Sequence, residues 1–428
     1  MGIRNLNRFI QHRCPEASSR IHLRDLSGKR IAVDTSIYMY RYSGEGALLE
    51  NMYLMASVFR HYNIHAVFVF DGPPPPQKTD VIELRKKKKE EAKKQYEALA
   101  KMSKEQKDAS GCEITTTVLD DIEETMRELK KQFIRLRDCD ITSVKELLVS
   151  FGFATIDAEG EADSLCARLS IRKRVDACMS DDTDMFVYGC PVVLRNISLL
   201  NHSVIQYNTT EILKTLALTQ QEFKMMCVVS GTDYSHGTAS DEYISPDTVF
   251  KKLTKFKSLS AKDQRKYHES GGGFYDWYVE EKCDTTRASA SRSAITYLTN
   301  ESMFDVSSLG SGGSGSSGGS GNSGYKQLVV LNRENIHRKR IIEIMMKEDF
   351  IFIESSPSDE KIIHSLSSGN GLLTSSPVYG LDQHQHQHQH QHCSNDNDAK
   401  VFANEIYGIN ASSFDELHKI HRKQRRGK

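Results

Sequence analysis

Apolar residues in this chain gather into short runs bounded by turn formers. The runs at 30–34, 65–70, 175–179 and 191–195 are rich in β-branched and aromatic side chains and predict strands. Between them, apolar positions recurring every three to four residues predict helices over about 47–62, 142–151 and 161–173. Strands alternating with helices are the signature of an α/β fold. Residues 84–138 depart from the pattern. LRKKKKEEAKKQYEALAKMSKEQK and LDDIEETMRELKKQFIRL both favour helix, with the breaker SGCE between them, and predict a helical hairpin or arch.

Where the apolar runs end, acids appear: Asp34 after RIAV, Asp71 after HAVFVF, Glu159 and Glu161 in DAEGEAD, Asp182 and Asp184 in CMSDDTDMF, and Asp233 in CVVSGTDY. A single carboxylate at a strand end is ordinarily a helix cap or half of an ion pair. Five such clusters are another matter, because in an open parallel sheet the carboxyl ends of the strands converge on one cleft. Crowded carboxylates raise one another's pKa and stay ionised only beside strong positive charge, for which a divalent metal is the natural source. Oxygen donors without His or Cys select Mg²⁺ or Mn²⁺ over zinc or copper. Seven acids exceed the needs of one octahedral ion that keeps its waters, so two ions are expected, some acids acting through water. In such sites one ion activates water and the other stabilises the leaving oxygen of a phosphodiester, the ions lying about 3.5–4 Å apart. Asp163 and Asp181 each neighbour one of these acids and are expected to cap or to support them electrostatically.

Net charge changes the picture only once it is resolved along the chain. The 428 residues sum to zero, yet 85–107 carry ten Lys or Arg against four Glu, and 418–428 carry six basic residues and no acid. Lys86, Lys87, Lys88 and Lys89 cover every side of a helical turn, so some must face the acidic cleft, and a phosphate between them would screen both charges. A solvated helix pair laced with i,i+4 contacts is the plain alternative. Nine scattered cysteines with no CxxC pair indicate neither a disulfide framework nor a zinc module and fit a reducing compartment. No stretch reaches the roughly 18 apolar residues of a membrane span, the start has no signal-peptide core, and Leu6 stands where a myristoylation motif needs Ser or Thr.

These motifs resemble the flap endonuclease and xeroderma pigmentosum group G nucleases. MGIRNL, IAVDTS, VFVFDGPPP followed by Lys78, EGEAD, SDDTD and GTDY occur in that family's order over about residues 1–250. The resemblance implies a PIN-like 5′-nuclease sheet flanked by helices, with a helical arch and a helix-hairpin-helix region. It implies that Asp34, Asp71, Glu159 and Glu161 serve mainly one ion, and Asp182, Asp184 and Asp233 mainly the other, with two Mg²⁺ per subunit and Mn²⁺ as a substitute. By the same resemblance Lys78 contacts the scissile phosphate. Aligning at Glu83-Leu84 gives Lys87 as the second such residue. Tyr40 would stack on a displaced base, core packing being its plain alternative, and Gly2 would lie near the site. Lys86, Lys88 and Lys89 would belong to the arch, with Lys251 and Lys252 on the duplex. The implied partner is branched or flapped DNA.

The chain departs from the family after GTDY, where Tyr243 and Ser245 stand in place of hairpin glycines, leaving a degenerate hairpin and a doubtful monovalent-ion site. The organisation expected is an N-terminal nuclease region at 1–100, an arch or connecting segment at 101–140, an internal nuclease region at 141–258, an extension at 259–306, a Gly/Ser linker at 307–324 and a C-terminal region at 325–428. The linker would span about 20–25 Å as a random coil. The QH tract at 383–392 reads as solvated disorder, and HKIHRKQRRGK as a nuclear-localisation or nucleic-acid-binding tail, favouring the nucleus, or the host nucleus for a viral chain, over the cytoplasm. No clear sliding-clamp peptide follows residue 325. Together these departures suggest a divergent member, with a large DNA virus as one source. The function expected is a Mg²⁺-dependent, structure-specific 5′ endonuclease with 5′-to-3′ exonuclease activity, serving DNA replication, repair or recombination. Two other readings stand beside it: a catalytically inactive DNA-binding scaffold of the same fold, and a PIN-like ribonuclease with four acids.

Overall fold

The computed structural model describes residues 2–108, 116–234, 244–269, 271–282, 287–305 and 336–347. The breaker SGCE, Tyr243, the Gly/Ser linker, the QH tract and the basic tail lie outside the described residues. Contacts divide the chain into two units, one of 1–149 and 153–331 and another of 150–152 and 332–428. Within the second, His337 N donates to Ser150 O at 2.9 Å ahead of a helix at Arg338–Met346. No described helix is long and apolar enough to cross a membrane.

Among the described residues the first unit is built on seven strands: β1 (Ser18–His22), β2 (Arg30–Asp34), β3 (His65–Phe70), β4 (Ala154–Asp157), β5 (Ala177–Met179), β6 (Val192–Ser198) and β7 (Ser203–Asn208). Their order in the sheet is β1-β7-β6-β5-β2-β3-β4. From β6 to β4 all neighbours are parallel, whereas β7 runs antiparallel to both β1 and β6. Around the sheet lie α1 (Leu6–Arg13), α2 (Thr35–Glu45), α3 (Leu48–His61), α4 (Thr79–Asp108), α5 (Thr116–Gln132), α6 (Asp138–Ser150), α7 (Ala162–Ile171), α8 (Asp184–Tyr188), α9 (Thr209–Leu216), α10 (Gln220–Ser230), α11 (Pro246–Lys257), α12 (Ala261–Glu269), α13 (Phe274–Lys282) and α14 (Arg287–Ser302).

The central strands are continuous apolar runs because helices cover both of their faces. Ile31, Ala32 and Val33 of β2 and Val67, Phe68 and Val69 of β3 are wholly buried. On one face Phe68 stacks on Phe59 of α3 and meets Phe153 edge-on. Ala32, Val67 and Val69 join a core with α7, α8 and α10 that continues through Phe256 of α11 to Phe274, Trp277 and Tyr278 of α13.

Register places the acids. Asp34 pairs with Val69, Phe70 with Asp157 and Val33 with Met179, so the chain leaves β2, β3, β4 and β5 at one edge of the sheet. Beyond β3, four consecutive prolines and a 3-10 turn at Pro76–Lys78 lead into α4, which at 30 residues is about 45 Å long. Ala92 of α4 and Leu129 of α5 are buried, and Tyr96 packs edge-on against Phe133. The expected helical hairpin is present as this pair.

Candidate active site

Asp34 ends β2 and is 7% exposed, with Ser180 Oγ donating to its Oδ2 at 2.9 Å. Asp71 follows β3, and its Oδ1 accepts from the Ala162 amide at 2.8 Å, at the start of α7. The loop bearing Glu159 and Glu161 is stitched to Asp71: Gly72 N donates to Gly160 O at 2.7 Å and Ala158 N to Phe70 O at 2.9 Å. A Cβ on Gly72 would meet Ala158 O at 2.1 Å, so only glycine permits this approach. Glu161 occupies the N-cap position of α7 without capping it. One of its oxygens accepts from Lys78 Nζ at 2.5 Å and the other from Tyr234 Oη at 2.6 Å.

Asp182 and Asp184 lie in the turn from β5 into α8. Ser180 Oγ accepts from Asp182 N at 3.1 Å, and Asp182 Oδ1 accepts from Asp184 N at 3.0 Å. Asp184 is 2% exposed, and its Oδ1 is buried without a hydrogen-bond partner. The turn is held from behind by Arg195, which donates to Asp181 O at 2.6 Å, while the Asp181 carboxylate accepts from Asn196 N and pairs with Arg41. Asp181 thus braces the turn through its carbonyl and its carboxylate. The N-terminal segment closes the same region. Gly2 adopts φ +77°, and a Cβ there would fall 2.1 Å from Asp182 Oδ1 and 2.7 Å from Asp184 Oδ1. Ile3 N donates to Thr183 Oγ1 at 2.8 Å.

The acids feel one another. Burial, then the charges of Asp71 and Asp182, push Asp34 up to about 7 against the hydrogen bond from Ser180. Burial, then Asp182 and Asp233, drive Asp184 well above the usual carboxylate range. Asp163, in the first turn of α7, is raised in the same way by burial and Glu161, with Lys78 opposing. Burial also raises Asp182, with Asp233 adding to it. Six of the seven expected acids thus share one electrostatic neighbourhood, with Asp163 as a further member. Glu159 lies exposed on its loop.

Two cations meet this charge among the described residues. Lys78, only 7% exposed, sits 4.6 Å above the Tyr234 ring on its way to Glu161. Burial works against its charge, but Glu161, Asp163 and Asp233 raise its pKa. Arg85, two helical turns further along, donates to Asp233 Oδ2 at 2.6 Å. Sequence reasoning placed Lys87 in this part. In the structure Lys87 lies exposed on α4, as do Arg85, Lys86 and Lys88, and Arg85 is the cation of that run that pairs with one of the acids. The seven-residue step from Lys78 keeps Arg85 on one helical face, which is the signal that could have found it. Lys89 lies four residues beyond Arg85; its Nζ donates to Ile134 O at 3.1 Å and sits 5.3 Å above the ring of Tyr40. That ring is 42% exposed beside the base of α4.

The donor set fits a hard divalent cation: carboxylate oxygens, with a buried unpartnered one on Asp184. Among the described residues, however, no three such groups converge into a closed cage. Lys78 on Glu161 and Arg85 on Asp233 occupy oxygens that an ion would use.

The basic helix expected after the hairpin is α11, capped by Ser245 and begun by Pro246. Its lysines are paired: Lys251 with Asp247 at 2.7 Å, Lys252 and Lys255 with Glu281 at 3.4 and 2.6 Å, and Lys257 with Glu222 at 2.9 Å.

Comparison with known proteins matches residues 1–92 to the XPG N-terminal domain and 152–233 to the XPG I-region. All seven acids lie within these two stretches. Over these two stretches the chain is similar to the XPG family. Flap endonuclease 1 of Babesia bovis is 29% identical over 277 residues, covering 61% of this chain and 38% of that protein. Flap endonuclease 1 of Leishmania major is also 29% identical, over 285 residues, covering 61% of this chain and 66% of that protein. The chain thus spans less than two thirds of either relative. Among solved structures, the catalytic core of Rad2 with DNA substrate superposes with a TM-score of 0.44 at 19% identity, covering 97% of this chain and 98% of that one.

Proposed function

We propose that this chain is a Mg²⁺-dependent, structure-specific 5′ endonuclease that cuts DNA at flaps or branched junctions, with 5′-to-3′ exonuclease activity, acting in the nucleus. The observation that carries the proposal is the convergence at one sheet edge of Asp34, Asp71, Glu161, Asp182, Asp184 and Asp233, with Lys78 delivered to them by the 3-10 turn before α4 and Arg85 by α4 itself. The relatives of Babesia bovis and Leishmania major are flap endonucleases, which supports the same substrate class.

In this reading Asp34, Asp71, Glu159 and Glu161 hold mainly one divalent ion and Asp182, Asp184 and Asp233 mainly a second; Mg²⁺ is the natural ion and Mn²⁺ a substitute. When bound, the ions supply water activation and charge neutralisation at the leaving oxygen. The rest of the work belongs to the chain. Lys78 is held by Glu161 and the Tyr234 ring so that its ammonium lies among the acids, where it can meet a scissile phosphate. Arg85 offers a second cation from the same helical face, leaving Lys87 to the exposed side of α4 with Lys86 and Lys88. Tyr40, half turned to solvent near Asp71, presents a face for base stacking worth about 1–3 kcal/mol. Gly2 keeps the N-terminal segment seated against Asp182 and Asp184. Lys251 and Lys252 of α11 would bear on the duplex.

The test is a cleavage panel of 5′ flap, 3′ flap, bubble and nicked duplex, with Mg²⁺ or with EDTA, for the wild type and Asp184→Ala. Metal-dependent cutting near the base of the 5′ flap, lost in Asp184→Ala while DNA binding persists, is the expected result. Cutting by Asp184→Ala at the native rate under saturating Mg²⁺ would refute the assignment.

A further inference from the structure

The helix α11 carries four lysines within seven positions, and two of them converge on one carboxylate. Lys255 Nζ lies 2.6 Å from Glu281 Oε1, and Lys252 Nζ lies 3.4 Å from Glu281 Oε2. Both ammoniums are aimed by the same stretch of α13: Lys252 Nζ sits 5.5 Å over the Tyr278 ring, and Lys255 Nζ 5.9 Å over the Trp277 ring. Those rings are buried against Phe274 and Phe256, so the directions of the lysines are set by the core. The carboxylate between them is not sealed in, since the Glu281 side chain is 26% exposed and those of Lys252 and Lys255 are 31% and 62% exposed.

Two ammoniums held about one pair of anionic oxygens also match the two non-bridging oxygens of a phosphodiester. Lysine contacts to backbone phosphates are worth most where they release condensed counterions from the nucleic acid. A lysine already neutralised by an internal acid contributes less to that release. An ion pair this open to water contributes little to stability, so exchanging the carboxylate for a phosphate costs the fold little.

We propose that Glu281 is an internal competitor for a duplex-phosphate site formed by Lys252 and Lys255, lowering this chain's affinity for double-stranded DNA. The proposal rests on the reading of the chain as a DNA-processing enzyme, but not on cleavage. DNA must displace Glu281 to engage the two lysines, and the loss of one carboxylate from the site sets how strongly duplex is held.

The experiment is equilibrium binding of a blunt, flap-free duplex in EDTA, followed by fluorescence anisotropy over a range of salt, for the full chain and for Glu281→Gln. Glutamine keeps the shape and removes the charge at a site on the surface, and an unchanged melting temperature verifies the fold. Glu281→Gln should bind duplex severalfold to tenfold more tightly at low salt, with the slope of log K against log salt steeper by up to about 1.8, two phosphates' worth. The double change Lys252→Ala/Lys255→Ala should cost affinity more in the Glu281→Gln background than in the wild type. Equal costs in the two backgrounds, or unchanged or weaker binding by Glu281→Gln, would overturn the proposal. Because no cleavage is read, failure here leaves the nuclease assignment standing. An inactive chain that still shows the gain would sink the nuclease reading alone.

Discussion

Replacing Lys78 by methionine removes the buried cation of the acid cluster while keeping the length of its aliphatic stem. The side chains of Lys78 and Glu161 are 9% and 20% exposed, so the pair is largely out of water. Losing one partner of a buried pair costs about 3–5 kcal/mol, and the surviving hydrogen bond from Tyr234 to Glu161 places this case near 3. For a unit of this size that is a fall of about 6 °C in melting temperature in EDTA. The deficit should depend on pH in one direction. Without Lys78 the folded-state pKa of Asp163 and Asp184 climbs further, so the native state binds still more protons than the unfolded chain and loses more stability as pH rises. The loss should therefore be largest near pH 8 and shrink toward pH 5. Mg²⁺ should restore part of it by supplying the missing charge. Single-turnover cleavage of a 5′ flap under saturating Mg²⁺ should fall about 10²- to 10³-fold, as when one donor to a developing anion is removed. A melting-temperature deficit that is the same at pH 5 and pH 8, together with a native cleavage rate, would refute the reasoning.

The wild type in EDTA should itself be more stable near pH 5 than near pH 8. Asp34, Asp163, Asp182 and Asp184 hold protons more tightly folded than unfolded, and that stability is lost through the window ending at about 7 for Asp34; calorimetry with and without Mg²⁺ checks it. Arg85→Met should cut single-turnover cleavage at least tenfold, whereas Lys87→Met should change it by less than about threefold, because only Arg85 reaches the acids; equal losses would count against that distinction. Gly2→Ala forces a Cβ into Asp182 and Thr183 at a positive φ, with about 1–2 kcal/mol of backbone strain alone. It should lower the melting temperature by a few degrees and slow cleavage, and a variant that matches the wild type in both would show that the N-terminal segment is not seated there.

The parts of the fold legible in the sequence are those in which a strand is buried on both faces. RIAVD and HAVFVF coincide with β2 and β3 because helices cover both sides of them and nearly every position must be apolar. The strands that escaped notice lie toward the margins of the sheet. SSRIH forms β1 at one edge with two of its five positions exposed, ATID forms β4 at the other edge over four residues, and SVIQYN of β7 mixes polar and apolar positions between antiparallel neighbours. None carries a strong local pattern, and each becomes a strand because a neighbour offers a ladder.

The acids were legible for a related reason: a carboxylate closing an apolar run must lie at the end of a buried strand, and parallel strands bring those ends together. What neutralises them was harder to read, because it depends on the helical face each cation occupies. In a run such as RKKKK every residue has the right charge, and charge alone cannot choose among them. The choice is made where α4 begins, by the prolines and the turn that fix Lys78 against Glu161, after which the helical repeat brings Arg85 to Asp233 and leaves Lys86, Lys87 and Lys88 outward. In α11 the acids that pair with the lysines come partly from α10 and α13, far away in sequence, so a basic stretch in one dimension is a nearly neutral surface in three. The charge available to a nucleic acid is therefore set by tertiary pairing, and the exposed lysines of α4, rather than the four of α11, carry the larger uncompensated share.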